Sequence, residues 1–196
     1  MRRLLPISVA LATVAVGAVA CSSSGSGSSS GTGGGTTTRG SEAPGTTVGR
    51  GRLTLTSSAF ADGTAIPRDN TCQGAGTSPD LAWTGAPEGT AAFALVVNDP
   101  DAPVPGGFTH WVLYSIPADT SSIPAGGSAG SSGLNGAGKP GWVPPCPPSG
   151  THHYVFTLYA LPTVTAFAET PTKAQVEALG KDALATATLT GTYART

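Results

Sequence analysis

An apolar run that stops abruptly at acids and prolines does most to limit how this chain can fold. Phe93-Ala94-Leu95-Val96-Val97 leads directly into Asn98-Asp99-Pro100-Asp101-Ala102-Pro103. A short apolar run rich in β-branched residues predicts a buried strand. The prolines lack the N–H that a sheet ladder needs, so the strand must end there and a stiff loop begin. Asp99 and Asp101 therefore stand at the mouth of a core strand. They are either a rigidly held functional pair or an ordinary Asp-Pro turn.

The strands on either side are predicted by the same patterning. Arg52 to Thr56 alternates. Leu81-Ala82-Trp83-Thr84 is short and closed by Gly85 and Pro87. Thr109 to Pro117 is a strong strand whose period of two puts His110, Val112, Tyr114 and Ile116 on one face. His152 to Leu161 is another, with His152, Tyr154, Phe156 and Leu158 on one face and His153, Val155, Thr157 and Tyr159 on the other. Residues 118–150 are dense in Gly, Ser and Pro and read as a long loop. Thr170-Pro171 predicts the N-terminus of one helix running to about Ala187, with Gly180 weakening its middle. Leu189 to Tyr193 closes the domain as a strand. Many short strands, Gly/Pro turns and one late helix predict a mainly β fold, an antiparallel β-sandwich with a C-terminal helix.

Ahead of this domain the composition changes. Arg2 and Arg3 precede an almost wholly apolar run from Leu4 to Ala20, the pattern of a signal peptide. The alternative is an uncleaved anchor helix, although no stop-transfer charges follow. Val19-Ala20-Cys21 resembles a bacterial lipobox, with Ala18 where Leu is usual. That resemblance implies cleavage before Cys21 and a lipid on it, anchoring the protein at the outer side of the membrane. Residues 22–50 are Gly, Ser and Thr with few apolar side chains, and predict a tether with a reach of about 30 Å. The chain thus divides into a signal at 1–20, a lipidated Cys21 with its tether at 21–50, and a domain at 51–196. Loss of Arg2 and Arg3 would take the formal charge from −1 to −3. With no basic patch or aromatic-basic ladder, nothing points to nucleic acid.

Three segments, in order, resemble the phosphatidylethanolamine-binding protein family and its bacterial Raf-kinase-inhibitor-like branch. They are Thr71-Cys72-Gln73-Gly74 with Ser78-Pro79, Leu81 and Trp83; Asp99-Pro100-Asp101-Ala102-Pro103 with His110-Trp111; and Pro145-Cys146-Pro147-Pro148-Ser149-Gly150 with His152 and Tyr154. The likeness spans nearly all of Leu53 to Arg195. It implies a β-sandwich with a shallow pocket for small anions, especially the phosphate groups of lipid head groups or small molecules. It points to Asp99, Asp101, His110, His152 and Tyr154, with Pro145 and Pro147 in the pocket wall. Two positions depart from the pattern: Pro144 stands where Gly is usual, removing a backbone donor, and Trp142 where Tyr is common.

The chemistry of these residues is consistent with that role. Two imidazoles brought together can donate to an anion. Tyr154 shares a face with His152. Two carboxylates would repel an anion directly, so their expected task is to orient His110 and His152. His153, on the opposite face, is expected to have no part in the site. No metal site or cofactor is expected, because His152 and His153 diverge and no paired-ligand spacing occurs. Gly126-Gly127-Ser128-Ala129-Gly130 matches G-x-S-x-G but lies within Gly/Ser-rich sequence and lacks the strand-to-helix context that activates such a serine. Cys72 and Cys146, an even pair in an exported chain, suggest a disulfide; two free thiols are the alternative. The expected function is a lipid-anchored binding module and not an enzyme. The alternatives are an inhibitor of an extracellular protease and an enzyme using the His/Asp groups as acid and base.

Overall fold

A computed structural model describes residues 52–195. The signal, lipidation and tether readings, Cys21 included, lie outside these residues.

Two antiparallel sheets face each other. The smaller has the order β1-β2-β5, from β1 (Thr54–Thr56), β2 (Leu81–Thr84) and β5 (Ser122–Ile123). The larger has the order β6-β4-β3-β7-β8, from β3 (Ala92–Asp99), β4 (Phe108–Pro117), β6 (Ser131–Ser132), β7 (Thr151–Leu161) and β8 (Ala185–Ala194). Between the sheets, Leu55, Leu81, Trp83 and Ile123 pack on Phe93, Leu95, Val97, Trp111, Phe156 and Leu158. On the other face of the larger sheet, Ala94, Val96 and Val112 pack against Val176 of the helix α1 (Lys173–Ala178). The central strand β3 is thus covered on both faces. That is why its sequence is continuously apolar where an ordinary antiparallel strand would alternate.

β7 keeps the expected alternation, with Tyr154, Phe156 and Leu158 buried. β4 does not, and the single face expected for His110, Val112, Tyr114 and Ile116 is corrected. On β3, Val97 lies opposite Trp111 and Asn98 opposite Thr109, so His110 is an extra residue in the ladder. A second irregularity falls between Leu113 and Ile116, where Ser115 takes φ 51°. Each bulge reverses the phase of the strand. Val112 and Tyr114 therefore meet the helix layer, while Ile116 joins the inter-sheet core. His110 turns toward Tyr154, at a ring separation of 5.0 Å.

The helix is shorter than predicted. It begins with Thr172 as N-cap, whose N–H donates to Gln175 Oε1 at 2.9 Å, and ends at Ala178, with a 3-10 turn over Leu179–Asp182. Ala185, expected as helix, begins a ten-residue strand paired along its length with β7. The alternation of Ala185, Ala187 and Leu189 with Thr186, Thr188 and Thr190 places small and apolar groups inward and β-branched threonines outward. That period of two prevails over the weak helical spacing. The expected long loop is in fact held down at many points: Gly126 N donates to Ser78 O, Gly133 N to Val112 O, and Asn135 Oδ1 accepts from Ala137 N and Lys139 N. The G-x-S-x-G stretch lies in this irregular segment, and the short strand β6 follows it, not a helix.

Candidate functional site

Where β3 ends, Asp99 turns the chain. Its Oδ1 accepts from the N–H of Asp101 at 2.9 Å and of Ala102 at 3.1 Å. This side-chain turn is the local reason for an Asp ahead of Pro100. Oδ2 accepts from Nδ1 of His152 at 2.7 Å, and both residues are buried. Three donors shared over two oxygens fix the carboxylate, and the carboxylate fixes the imidazole.

His110 is held from the other side. Its Nδ1 lies 2.7 Å from the carbonyl oxygen of Val143, and the N–H of Val143 donates to the carbonyl of His110 at 2.9 Å. Burial holds the His110 imidazole below the ordinary histidine range; the bond to Val143 and the nearby Asp99 charge oppose this less strongly. Trp142, next in the chain, anchors the same segment by donating Nε1–H to Gly76 O at 3.1 Å. Below both histidines lies Tyr154. Its hydroxyl is buried with no partner among the described residues. Burial first, and then the Asp99 charge, push its pKa well above the usual phenol value, so it stays protonated and able to donate.

Asp99, His110, His152 and Tyr154 form the polar part of a cavity of about 260 Å³. The rest of the lining is apolar. Ala102, Pro103, Val104 and Phe108 form one side, and Val143, Pro144, Pro147 and Pro148, with Cys146, form the other. The second side is tied down by a Cys72–Cys146 disulfide with a Cα–Cα distance of 5.4 Å. Few polar groups converging in an apolar cleft is the usual form of a small-molecule site.

Five of the seven residues expected in the site line this cavity: Asp99, His110, Pro147, His152 and Tyr154. Asp101 and Pro145 do not. Asp101 points to solvent, where its Oδ2 accepts from the backbone N–H of His153 at 2.8 Å and from its Nδ1 at 2.7 Å. Those bonds from His153 hold its carboxyl below the usual range. The shared task expected of the two acids, orienting His110 and His152, is corrected: Asp99 orients His152, Asp101 is clasped by His153, and neither bonds His110. Pro145 is buried behind the wall, where its carbonyl accepts from Cys72 N at 3.0 Å. Phe108, Val104 and Val143 gave no sequence signal beyond being apolar, because their place in the lining depends on two loops meeting. Among the described residues no group of His, Cys, Asp and Glu could hold a metal ion.

Comparisons with known proteins agree with this fold. The family model described as phosphatidylethanolamine-binding protein matches residues 56–194. A UPF0098 protein of Chlamydia muridarum is 41% identical over 147 residues, covering 72% of this chain and 98% of its own. A Mycobacterium tuberculosis protein that bears the name lipoprotein LppC is 42% identical over 149 residues, covering 72% of each chain. The crystal structure of a phosphatidylethanolamine-binding protein homologue from Chlamydia trachomatis superposes with a TM-score of 0.70 at 39% identity, covering 74% of this chain and 99% of that one.

Proposed function

The chain belongs to the phosphatidylethanolamine-binding protein family, and from that premise we propose that it is a binding module for a small phosphate-bearing or other anionic ligand. The observation that carries this reading is the convergence of His110, His152 and Tyr154 on one cavity, with the Tyr154 hydroxyl buried and without a partner among the described residues. A buried hydroxyl without a partner costs roughly 1–3 kcal/mol, and a ligand oxygen accepting from it would relieve that cost. The apolar walls would cover the body of the ligand while the histidines and the phenol hold its head. Lipid attachment through Cys21 would keep the domain at the outer side of a membrane. The lipoprotein name of the mycobacterial relative supports this part.

Titration with inorganic phosphate and with phosphoethanolamine, read in histidine NMR spectra, tests the pocket. The side-chain signals of His110 and His152 should move on binding, and those of exposed His153 should not. Unmoved signals of the two pocket histidines at saturating ligand would overturn the reading. For the anchor, a Cys21→Ser variant of the full chain should shift from the membrane to the soluble fraction.

A further inference from the structure

The lining of the cavity contains no lysine or arginine. Its one carboxylate, Asp99, is already occupied by three donors. What a ligand head would meet is set by how the two imidazoles are tied. A carbonyl oxygen can only accept, so the 2.7 Å contact with Val143 requires the proton of His110 to sit on Nδ1. The ring is buried and bonded to no carboxylate, and burial lowers its pKa from the ordinary histidine value, which favours the neutral form. His110 Nε2 is then a lone pair, with no partner among the described residues. The charged and titratable groups facing it are Asp99 at the end of β3, and His152 and Tyr154 from β7; the wall from Val143 to Pro148 supplies none. Arg195 reaches Cys146 Sγ at 3.8 Å but lies outside the lining. A fully deprotonated oxyanion would press its oxygens against that lone pair with no cation fixed in the wall to compensate.

We propose that the cavity takes its ligand in a proton-carrying form: the monoanion of a phosphate monoester, whose P–O–H donates to His110 Nε2 while another of its oxygens accepts from the Tyr154 hydroxyl. The inference rests on the anion-binding reading above and narrows it. A phosphate monoester has an ionisable second proton, with a pKa of about 6. A phosphodiester, such as the head group of an intact phospholipid, has no second proton to offer, and sulfate has none at neutral pH. The site therefore selects free monoesters over membrane lipid.

Isothermal titration of the purified full chain with four probes tests this: methyl phosphate, dimethyl phosphate, glycerophosphoethanolamine and sulfate, each between pH 5.5 and 8.5. Methyl phosphate should bind at least about tenfold more tightly than the other three at pH 6. Relative to sulfate, its affinity should fall about tenfold per pH unit above its second ionisation, with uptake of about one proton at pH 8. Any change in the protein's own charge acts on both anions and cancels in that ratio. In His110→Gln, whose amide can turn its NH2 to the ligand, the preference over sulfate should shrink; the wild-type series stands even if this variant does not fold. Sulfate or dimethyl phosphate binding within threefold of methyl phosphate at pH 6 would overturn the proton-carrying ligand and leave the anion site intact. Tight glycerophosphoethanolamine binding would show that an ammonium, not an acid proton, meets His110. Failure of all four probes to bind would remove the anion-site reading and this inference together.

Discussion

At the scale of single residues, the two acids next to Pro100 have similar sequence surroundings and opposite situations. Asp99 is 3% exposed and bound to buried His152, whereas the Asp101 side chain is 42% exposed and bound to exposed His153. Their substitutions should differ accordingly. Asp99→Ala strands the Nδ1–H of His152 in the interior and removes the acceptor of the turn. It should cost about 3 kcal/mol or more, read as a lowered urea midpoint. Asp101→Ala removes an exposed pair and should leave the midpoint nearly unchanged. His110 adds a pH dependence. Its folded-state pKa is depressed by burial, so as pH falls below the ordinary histidine value of about 6.5 the unfolded chain takes up a proton that the folded chain refuses. Stability present above that pH should decline as pH drops toward the folded-state value. Urea melts at pH 7.5 and 5.5 measure the decline, and His110→Gln should reduce it.

At the scale of elements, what matters most is the pair of bulges in β4. Without the extra residue at His110, strict alternation would assign it to the face of Val112 and Tyr114, beneath the helix layer. The turn that feeds this bulge depends on Gly107, which has φ 75° and lies so close to Asp99 that a Cβ there would collide with the main-chain oxygen of Asp99. Gly107→Ala should therefore destabilise by more than about 1 kcal/mol and shift the end of β3. The His152 ring resonances, which report the Asp99 bond, should move with it. Strand periodicity is legible for β2 and β7, whose inward residues meet the inter-sheet core, and β3 is legible as an unbroken apolar run because it is covered on both faces. Periodicity fails in β4 because a bulge leaves no mark in a hydrophobic pattern. It fails at the helix because the sparse apolar residues Val176, Leu179 and Leu184 fit a helical spacing that also runs on into Ala187, where the period-two strand has already begun.

At the scale of the whole molecule, one side of the cavity is held by a covalent bond between segments 74 residues apart. Closing a loop of that length restricts the unfolded chain. The Cys72→Ser/Cys146→Ser double variant should lose roughly 2–4 kcal/mol by denaturant unfolding. Because Cys146 sits between Pro145 and Pro147, beside the cavity, the same variant should also weaken ligand binding. By itself, the sequence determined the sandwich, the central strand and the residue types at its mouth. Apolar runs, proline stops and period-two alternation are local, and the hydrophobic effect acts on them wherever they occur. The family pattern added which histidines, tyrosine and prolines to examine. Only the tertiary structure decided how they are shared out. It put Asp99 with His152 and Asp101 with His153, turned His110 inward, and tied its Nδ1 to the carbonyl of Val143. Those outcomes depend on hydrogen bonds between segments tens of residues apart. Their geometry exists only once the sheets have paired and the proline-rich wall has closed against β4.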